Sequence, residues 1–208
     1  MKRRIRALLA ACSLLVLSFG ASAQDLGKPM LLVAKPTLKG PYTQTALIAV
    51  PLGNKHIGFI LNRATDVTMG KVFPDHPPSA KVLDPIYFGG PEAADSIFAL
   101  VRRDPGAPSL KLFGDLFMTG NGSNIDRIIE QTPNDARYFA GFVGWMPQEL
   151  AQELAAGFWF VGAPDAAQVF RKDFATMWED LARRLGKDQP RRPGPGEREA
   201  ALPFPRLD

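Results

Sequence analysis

Two clusters of glycine and aromatic residues constrain this chain more than any other part of its sequence. The first, at residues 87–91, is Tyr-Phe-Gly-Gly-Pro, and the second, at residues 138–145, is Tyr-Phe-Ala-Gly-Phe-Val-Gly-Trp. Glycine beside a large ring permits close approach of two backbones or a positive φ, and the ring then covers the gap. Two interpretations follow: tight sheet packing around a sharp turn, or a pocket or partner-facing ridge. The clusters alone leave both open.

The hydrophobic pattern predicts short strands first and helices later in the chain. Short β-rich apolar runs bounded by Gly, Pro and Asn are typical of strands. A Leu-Gly-Asn-Lys segment at residues 52–55, between two such runs, predicts a hairpin turn. The predicted strands cover residues 30–34, 45–50, 56–61, 85–88, 96–101, 110–118, 137–143 and 158–161.

Helices are predicted at residues 123–131, 147–156 and 165–185. Pro147 suits the first turn of the second helix and Gly157 suits its end. The third helix begins at the N-cap Asp165, carries an apolar stripe at three- and four-residue steps, and ends at Gly186. The stripe consists of Phe170, Phe174, Met177, Trp178, Leu181 and Leu185. Residues 63–84 are polar and rich in proline, which predicts a long loop with at most one short helix near residues 67–72.

Residues 1–23 have the organisation of a cleavable secretory signal. Basic residues precede an apolar run at residues 7–19, which is too short to span a bilayer stably. The small residues Ala21 and Ala23 predict cleavage between Ala23 and Gln24. Lipid attachment at Cys12 and retention of the segment as an anchor are the alternatives. We therefore expect a periplasmic protein with one domain at residues 24–186 and a disordered, Pro-rich tail at residues 187–208, which contacts the membrane only through the signal segment.

Removal of the signal changes both the charge and the cysteine content. The chain has 25 Lys and Arg against 21 Asp and Glu, and four of the basic residues lie within the first six positions, so 21 of each sign remain. A neutral chain argues against nucleic acid as a partner, because phosphate binding requires a basic surface. The one cysteine, Cys12, leaves with the signal, so we expect no disulfide and no cysteine metal site. No cofactor is expected.

Few residues are candidates for catalysis. The two histidines, His56 and His76, have no Gly-x-Ser-x-Gly motif beside them, which favours structural or surface roles. Two distant histidines without cysteine also make a metal site a poor prediction. Glu149 and Glu153 are one helical turn apart and would serve as an acid–base pair, although an exposed helix face explains them as well.

In sequence order, these motifs resemble the YqgE/AlgH family. The matching segments are Leu-Val-Ala-Lys-Pro at 32–36, Gly-Phe-Ile-Leu-Asn-Arg at 58–63, both glycine–aromatic clusters, and Leu150, Glu153 and Trp159. The resemblance covers about residues 27–186. The family usually has Gly-Gln-Leu-Glu where residues 148–151 of this chain are Gln-Glu-Leu-Ala. It usually has Val where this chain has Glu92. Members of the family generally have no signal peptide, so this chain resembles an exported variant.

The resemblance implies an α+β fold: a single domain in which a mixed, bent β-sheet forms a pseudo-barrel with several helices packed outside. It implies no established enzymatic activity, and it brings the label of a transcriptional regulator. We predict a non-catalytic periplasmic protein that binds an unknown protein or small molecule. The alternatives are a regulator of gene expression and a carboxylate-dependent hydrolase using Glu149 and Glu153 with Asp115 or Asp126. The predicted binding residues are Asn62, Gly89, Gly90, Pro91, Gly141, Gly144, Trp145 and Glu153.

Overall fold

The computed structural model describes residues 25–188, and the apolar β-rich segments of this part form nine strands. Most strand predictions are confirmed, including the hairpin turn at residues 53–54 between β2 and β3. The strands are β1 (Met30–Ala34), β2 (Ala46–Leu52), β3 (Lys55–Ile60), β4 (Tyr87–Phe88), β5 (Glu92–Val101), β6 (Leu110–Phe113), β7 (Leu116–Thr119), β8 (Ala136–Trp145) and β9 (Trp159–Gly162).

Three of the helices begin where a polar side chain accepts a backbone N–H. Thr68, Asn121 and Asp165 each cap a helix in this way. Gly157, in the left-handed conformation, ends α3 as predicted. The helices are α1 (Met69–Val72), α2 (Gly122–Gln131), α3 (Glu149–Ala156), α4 (Ala166–Val169) and α5 (Met177–Asp188), with a 3₁₀ helix at Pro77–Lys81.

The sheet is mixed and curled, which confirms the α+β prediction. Its order is β6-β7-β5-β8-β3-β2-β1-β9 with antiparallel neighbours, while β4 pairs with β8 in parallel. One face packs on α4 and α5. The other face carries two separate cores, one beneath α3 and one beneath α1 and α2.

Strand β8 changes sheet face in its middle. Phe139 lies in the core beneath α4 and α5, whereas Val143 and Trp145 lie in the core beneath α3. Strict alternation would place these odd-numbered residues on one face. Gly141, at φ +68°, interrupts the alternation, and the residues after it pair with β3 instead of β4. A bulge at this glycine therefore lets odd-numbered residues of β8 pack in the core beneath α4 and α5 before Gly141 and in the core beneath α3 after it.

The prediction of one continuous helix at residues 165–185 is wrong. This segment is divided into α4 and α5, and the residues between them make tertiary contacts that a continuous helix would not provide. The carbonyl of Arg171 accepts a hydrogen bond from Arg137 at 2.9 Å, and the ring of Phe174 packs edge-on against Tyr87. The apolar stripe still faces the core. Tertiary packing thus overrides local periodicity.

The buried side chain of Arg137 accounts for the break between α4 and α5. Its side chain is 1% exposed, and its guanidinium lies 4.4 Å from the Tyr87 ring centroid and 3.6 Å from the Asp84 carboxylate. Burial lowers the pKa of Arg137, and the neighbouring Tyr87 and Asp84 oppose that shift. A buried cation requires such partners, and the segment after α4 supplies one more.

Other element boundaries were also predicted incorrectly. Gly186 does not end the last helix, which continues to Asp188, because Gly186 does not adopt the left-handed conformation that ends α3 at Gly157. The boundary placed between residues 186 and 187 therefore falls inside α5. Residues 110–118 form the hairpin β6–β7 with a turn at Gly114, not one strand. Gln148, at φ +73°, precedes α3, so Pro147 lies outside that helix. The predicted signal, and the tail beyond residue 188, lie outside the described residues.

Candidate functional site

The glycines of the two clusters pack against each other, backbone to backbone. A Cβ on Gly89 would lie 2.2 Å from the Gly141 carbonyl oxygen, and one on Gly90 would lie 2.2 Å from the Phe142 carbonyl carbon. The Gly89 amide donates to the Ala140 carbonyl at 2.8 Å. We call Gly89, Gly90 and Gly141 the glycine junction. All three are buried, which fits the interpretation of tight sheet packing around a turn.

Trp145 and Glu153 meet in a second closed region. The Glu153 carboxylate oxygen Oε2 accepts the indole N–H of Trp145 at 3.1 Å and that of Trp159 at 2.8 Å. Both indoles are 4% exposed. Burial raises the pKa of Glu153, the two indole donors lower it, and Glu149 raises it. One carboxylate thus joins β8, α3 and β9.

Asn62 holds a neighbouring loop in place. Its side-chain amide donates to the Gln44 carbonyl at 2.8 Å, and its Oδ1 accepts the Ala46 amide at 2.9 Å. Arg63, which follows it, donates to Thr45 Oγ1 at 2.9 Å. The loop before β2 is therefore fixed by side chains from the end of β3.

Tyr42 in this loop packs against one of the two tryptophans. Its ring packs edge-on against Trp159 at 6.3 Å between centroids. Burial raises the pKa of Tyr42 to about 12; the charge of Glu153 adds to this shift and that of Arg63 opposes it. We call Tyr42, Trp145, Glu153 and Trp159 the tryptophan–glutamate cluster. Tyr42, Arg63 and Thr45 were missed as site residues, and the Asn-Arg pair at the end of β3 was the sequence signal for them.

The structure therefore brings the predicted residues together as two closed regions and not as one open surface. Asn62 and Pro91 are half-buried, and Gly144 is the one exposed member. A Cβ on Gly144 would lie 3.2 Å from Glu92 Cγ. The binding role of these eight residues stays a prediction, since their observed contacts are internal.

An open groove that the sequence analysis did not predict lies next to the junction, with Ala94 and Ala140 in its lining. It has a volume of about 780 Å³. Its walls are the segment before and within α1, the start of α2, and the first half of β5. Its lining includes the partly exposed apolar side chains of Val67, Val72 and Phe73. We call it the side groove. These apolar residues belong to a loop rich in proline, and no sequence pattern indicated that they share a groove.

Strand β5 is irregular where it borders this groove. Glu92 is opposite Phe142 of β8, but the next paired residue is Ile97, opposite Ala140. Residues 93–96 therefore bulge out of the sheet, and Ala93 has φ +49°. We call residues 93–96 the β5 bulge. A Cβ on Gly141 would lie 3.0 Å from Ala94 Cα, so the junction glycine allows the bulge to lie against β8.

The candidate catalytic groups have structural contacts. Glu149 accepts the Met146 amide at 2.7 Å, and Asp115 lies 3.5 Å from Arg102. Asp126 lines the side groove, away from both. Glu149 is close enough to Glu153 to raise its pKa, whereas Asp115 and Asp126 lie on other parts of the fold, at the β6–β7 turn and on α2.

One histidine does contact a serine. His76 Nδ1 lies 2.9 Å from Ser79 Oγ, and its Nε2 lies 3.8 Å from the Glu130 carboxylate. This resembles a nucleophile–base–acid arrangement. However, Ser79 is fully buried and belongs to the same 3₁₀ helix turn as the histidine. A substrate would not reach its hydroxyl.

Among residues 25–188, no group of three or more His, Cys, Asp or Glu side chains is arranged to hold a metal ion. Over the same residues, no helix has the length and apolar character needed to cross a membrane.

The curled mixed sheet, in which β8 pairs with β3, β4 and β5 and helices pack on both faces, defines an α+β class, and two solved structures have a similar fold. A crystal structure of a protein from Corynebacterium diphtheriae is similar, with a TM-score of 0.63 and 25% identity over 79% of this chain and 87% of that one. The solution structure of AlgH from Pseudomonas aeruginosa has the same fold, with a TM-score of 0.66 and 24% identity over 80% of this chain and 92% of that one.

The sequence comparisons place the chain more narrowly. The AlgH-like family model matches residues 31–190, and the chain belongs to this family. The UPF0301 protein of Cytophaga hutchinsonii is 26% identical over 78% of this chain and 92% of its own length. The UPF0301 protein of Vibrio vulnificus is 29% identical over 74% of this chain and 89% of its own length. The recognition made from the motifs is thereby confirmed, and these relatives' names state no activity.

Proposed function

We propose that this chain is a non-catalytic binding or interaction protein that works in the periplasm, and that its partner binds in the side groove. The observation that carries the proposal is the groove itself. A volume of about 780 Å³ lies in the usual range for ligand sites, and a mainly apolar lining with few polar groups is typical of them. Its exposed apolar rim also fits a contact surface.

The contacts of the acidic and hydroxyl groups favour binding over catalysis. The Glu153 carboxylate accepts hydrogen bonds from two indole N–H groups, and the Glu149 carboxylate accepts one from a backbone amide. A general acid or base must reach the proton that it transfers. The hydrolase alternative therefore requires both carboxylates to leave these donors.

The groove is tested by partner retention. Immobilised wild-type protein, Phe73→Asp and Leu52→Asp are exposed to periplasmic extract. Phe73 is 40% exposed in the groove rim, and Leu52, a matched control at the β2–β3 hairpin, is 46% exposed. We expect wild type and Leu52→Asp to retain the same partner and Phe73→Asp to lose it. Equal retention by all three proteins, or none by wild type, would contradict a role for the groove.

The compartment is tested separately, by fractionation of tagged full-length protein with N-terminal sequencing. Support for export comes from the sequence of residues 1–23 alone. We expect a mature form that starts at Gln24 in the periplasmic fraction. An intact N-terminus in the cytoplasm would overturn export and favour the alternative of a gene regulator.

Catalysis is tested with a broad hydrolase screen of wild type and Glu153→Gln. We expect no turnover by either protein. Turnover by wild type that disappears in the variant would favour the hydrolase alternative over binding.

A further inference from the structure

The β5 bulge has an open backbone edge. On one side, the register of β8 passes from Phe142 opposite Glu92 directly to Ala140 opposite Ile97. On the other side, pairing with β7 starts only at Ala99, opposite Thr119. Residues 93–96 thus have no register partner on either side within the part of the chain that the structure describes. All four are exposed.

This edge lies directly beside the side groove. Residues 94–97 form one wall of the groove, and Gly120, where the chain leaves β7 for α2, forms part of the next. A Cβ on Gly120 would lie 2.9 Å from the Phe98 ring, so glycine here lets the chain turn close to the strand. The turn stops β7 from extending along residues 93–98 and leaves that edge accessible.

The groove has an acidic character. Asp95 and Asp126 line it, and no basic side chain does among the described residues. Neither carboxylate forms an ion pair with a described lysine, arginine or histidine; Asp95 accepts only a bond from its neighbour Ser96, at 3.3 Å. The remaining lining is mostly apolar. An occupant with basic and apolar side chains is therefore complementary in charge and polarity.

We propose that the β5 bulge and the side groove bind an extended, basic and apolar peptide segment of another protein, which adds to the sheet as a strand. Strand addition supplies main-chain hydrogen bonds from the open edge, and the groove receives alternate side chains. This inference rests on the proposed binding function and names the class of partner.

The test uses full-length protein and a synthetic capped peptide, Lys-Val-Lys-Ile-Lys-Val-Lys. Two matched peptides serve as controls: one with alternate backbone amides N-methylated, and one with glutamate in place of every lysine. Binding is measured by titration of isotope-labelled protein, following the amide signals of residues 93–97. We expect shifts at these amides, and affinity at least about tenfold weaker for each control peptide, since one removes hydrogen bonds and the other reverses the charge.

Protein variants locate the site. Asp126→Lys should lower the affinity for the lysine peptide at least about tenfold and raise the affinity for the glutamate peptide. Leu52→Asp should leave both affinities unchanged. Equal affinity of the N-methylated peptide, or shifts confined to amides elsewhere, would overturn strand addition. A peptide of residues 198–208 of this chain that binds more tightly than the lysine peptide would likewise overturn a partner from another protein.

The outcomes separate this inference from the function on which it rests. If Phe73→Asp loses a periplasmic partner but the lysine peptide does not bind, the groove functions and strand addition is wrong. If the peptide shifts residues 93–97 but Phe73→Asp retains the partner, the edge binds extended chains while the assigned role of the groove is wrong.

Discussion

Two regions next to β8 differ in how completely they are filled. In the first, the glycine junction and the tryptophan–glutamate cluster are tightly packed: a single added carbon at Gly89 would lie 2.2 Å from a backbone oxygen. In the second, the β5 bulge and the side groove leave about 780 Å³ open. The two regions meet at Gly141, where an added Cβ would lie 2.3 Å from the Gly90 oxygen and 3.0 Å from Ala94 Cα. We call the first region the filled side and the second the open side.

This difference separates residues that hold the fold from residues that are available to a partner. The prominent sequence motifs build the filled side, where each substitution removes a contact or creates a clash. The open side consists of ordinary apolar and acidic residues whose contacts are incomplete. Stability should therefore respond strongly to changes on the filled side and weakly to changes on the open side.

The largest loss of stability is expected for Gly141→Ala, and Gly53→Ala is its matched control. Both glycines have similar positive φ, +68° and +62°, but a Cβ at Gly141 would lie 2.3 Å from the Gly90 oxygen while nothing lies within 4 Å at Gly53. We expect Gly53→Ala to cost about 1 kcal/mol of unfolding free energy, from strain alone. Gly141→Ala should cost at least about 3 kcal/mol, or prevent folding. Urea unfolding measures both, and equal losses would show that the junction is not filled.

Glu153→Ala should have the next largest effect. It leaves the indole N–H groups of Trp145 and Trp159 without their acceptor, at about 1–3 kcal/mol for each buried donor. Glu153→Gln keeps an oxygen acceptor and should lose less. Chemical unfolding followed by tryptophan fluorescence measures the difference. Similar stability of the alanine variant and wild type would mean that the carboxylate does not hold the two indoles.

One substitution placed on both sides tests the comparison directly. Val143 is 3% exposed in the filled core, and Val67 is 37% exposed in the groove. Threonine keeps the shape of valine but adds a hydroxyl. Val143→Thr should cost about 1–3 kcal/mol by burying that hydroxyl, and Val67→Thr less than about 0.5 kcal/mol. Thermal and urea unfolding would contradict the comparison if the two losses were alike.

The smallest effect concerns pH. Burial raises the pKa of Glu153 in the folded chain. A raised pKa means that the folded state binds this proton more tightly, so its stabilising contribution is present at low pH and is lost as pH rises through the folded-state pKa. Relative to Glu153→Gln, wild type should lose stability as pH rises above the unfolded-state glutamate pKa of about 4.3. Unfolding free energies of both proteins across this range test the sign; a gain for wild type would refute it.

Local patterns predicted the elements whose contacts are also local. The strand at Met30–Ala34 agrees with the short apolar run there, and the β2–β3 hairpin agrees with the Gly-Asn turn. The helix at residues 165–185 was mispredicted because Arg137 and Tyr87, which interrupt it, are distant in sequence. The resemblance named Glu153 and Trp145 but not their geometry. The side groove could not be predicted, since its walls come from three separate segments.

The sequence by itself determined the family, the α+β class and the positions of the glycines, because side-chain size, periodicity and motif order are properties of the chain alone. It also carries the predicted export signal, whose removal would leave equal numbers of acidic and basic residues. Only the tertiary structure decided that the two glycine clusters oppose each other, that one carboxylate serves two indoles, and that a bulge of β5 remains open beside an acidic groove. Each of these depends on distances between residues far apart in the chain, which folding alone brings together.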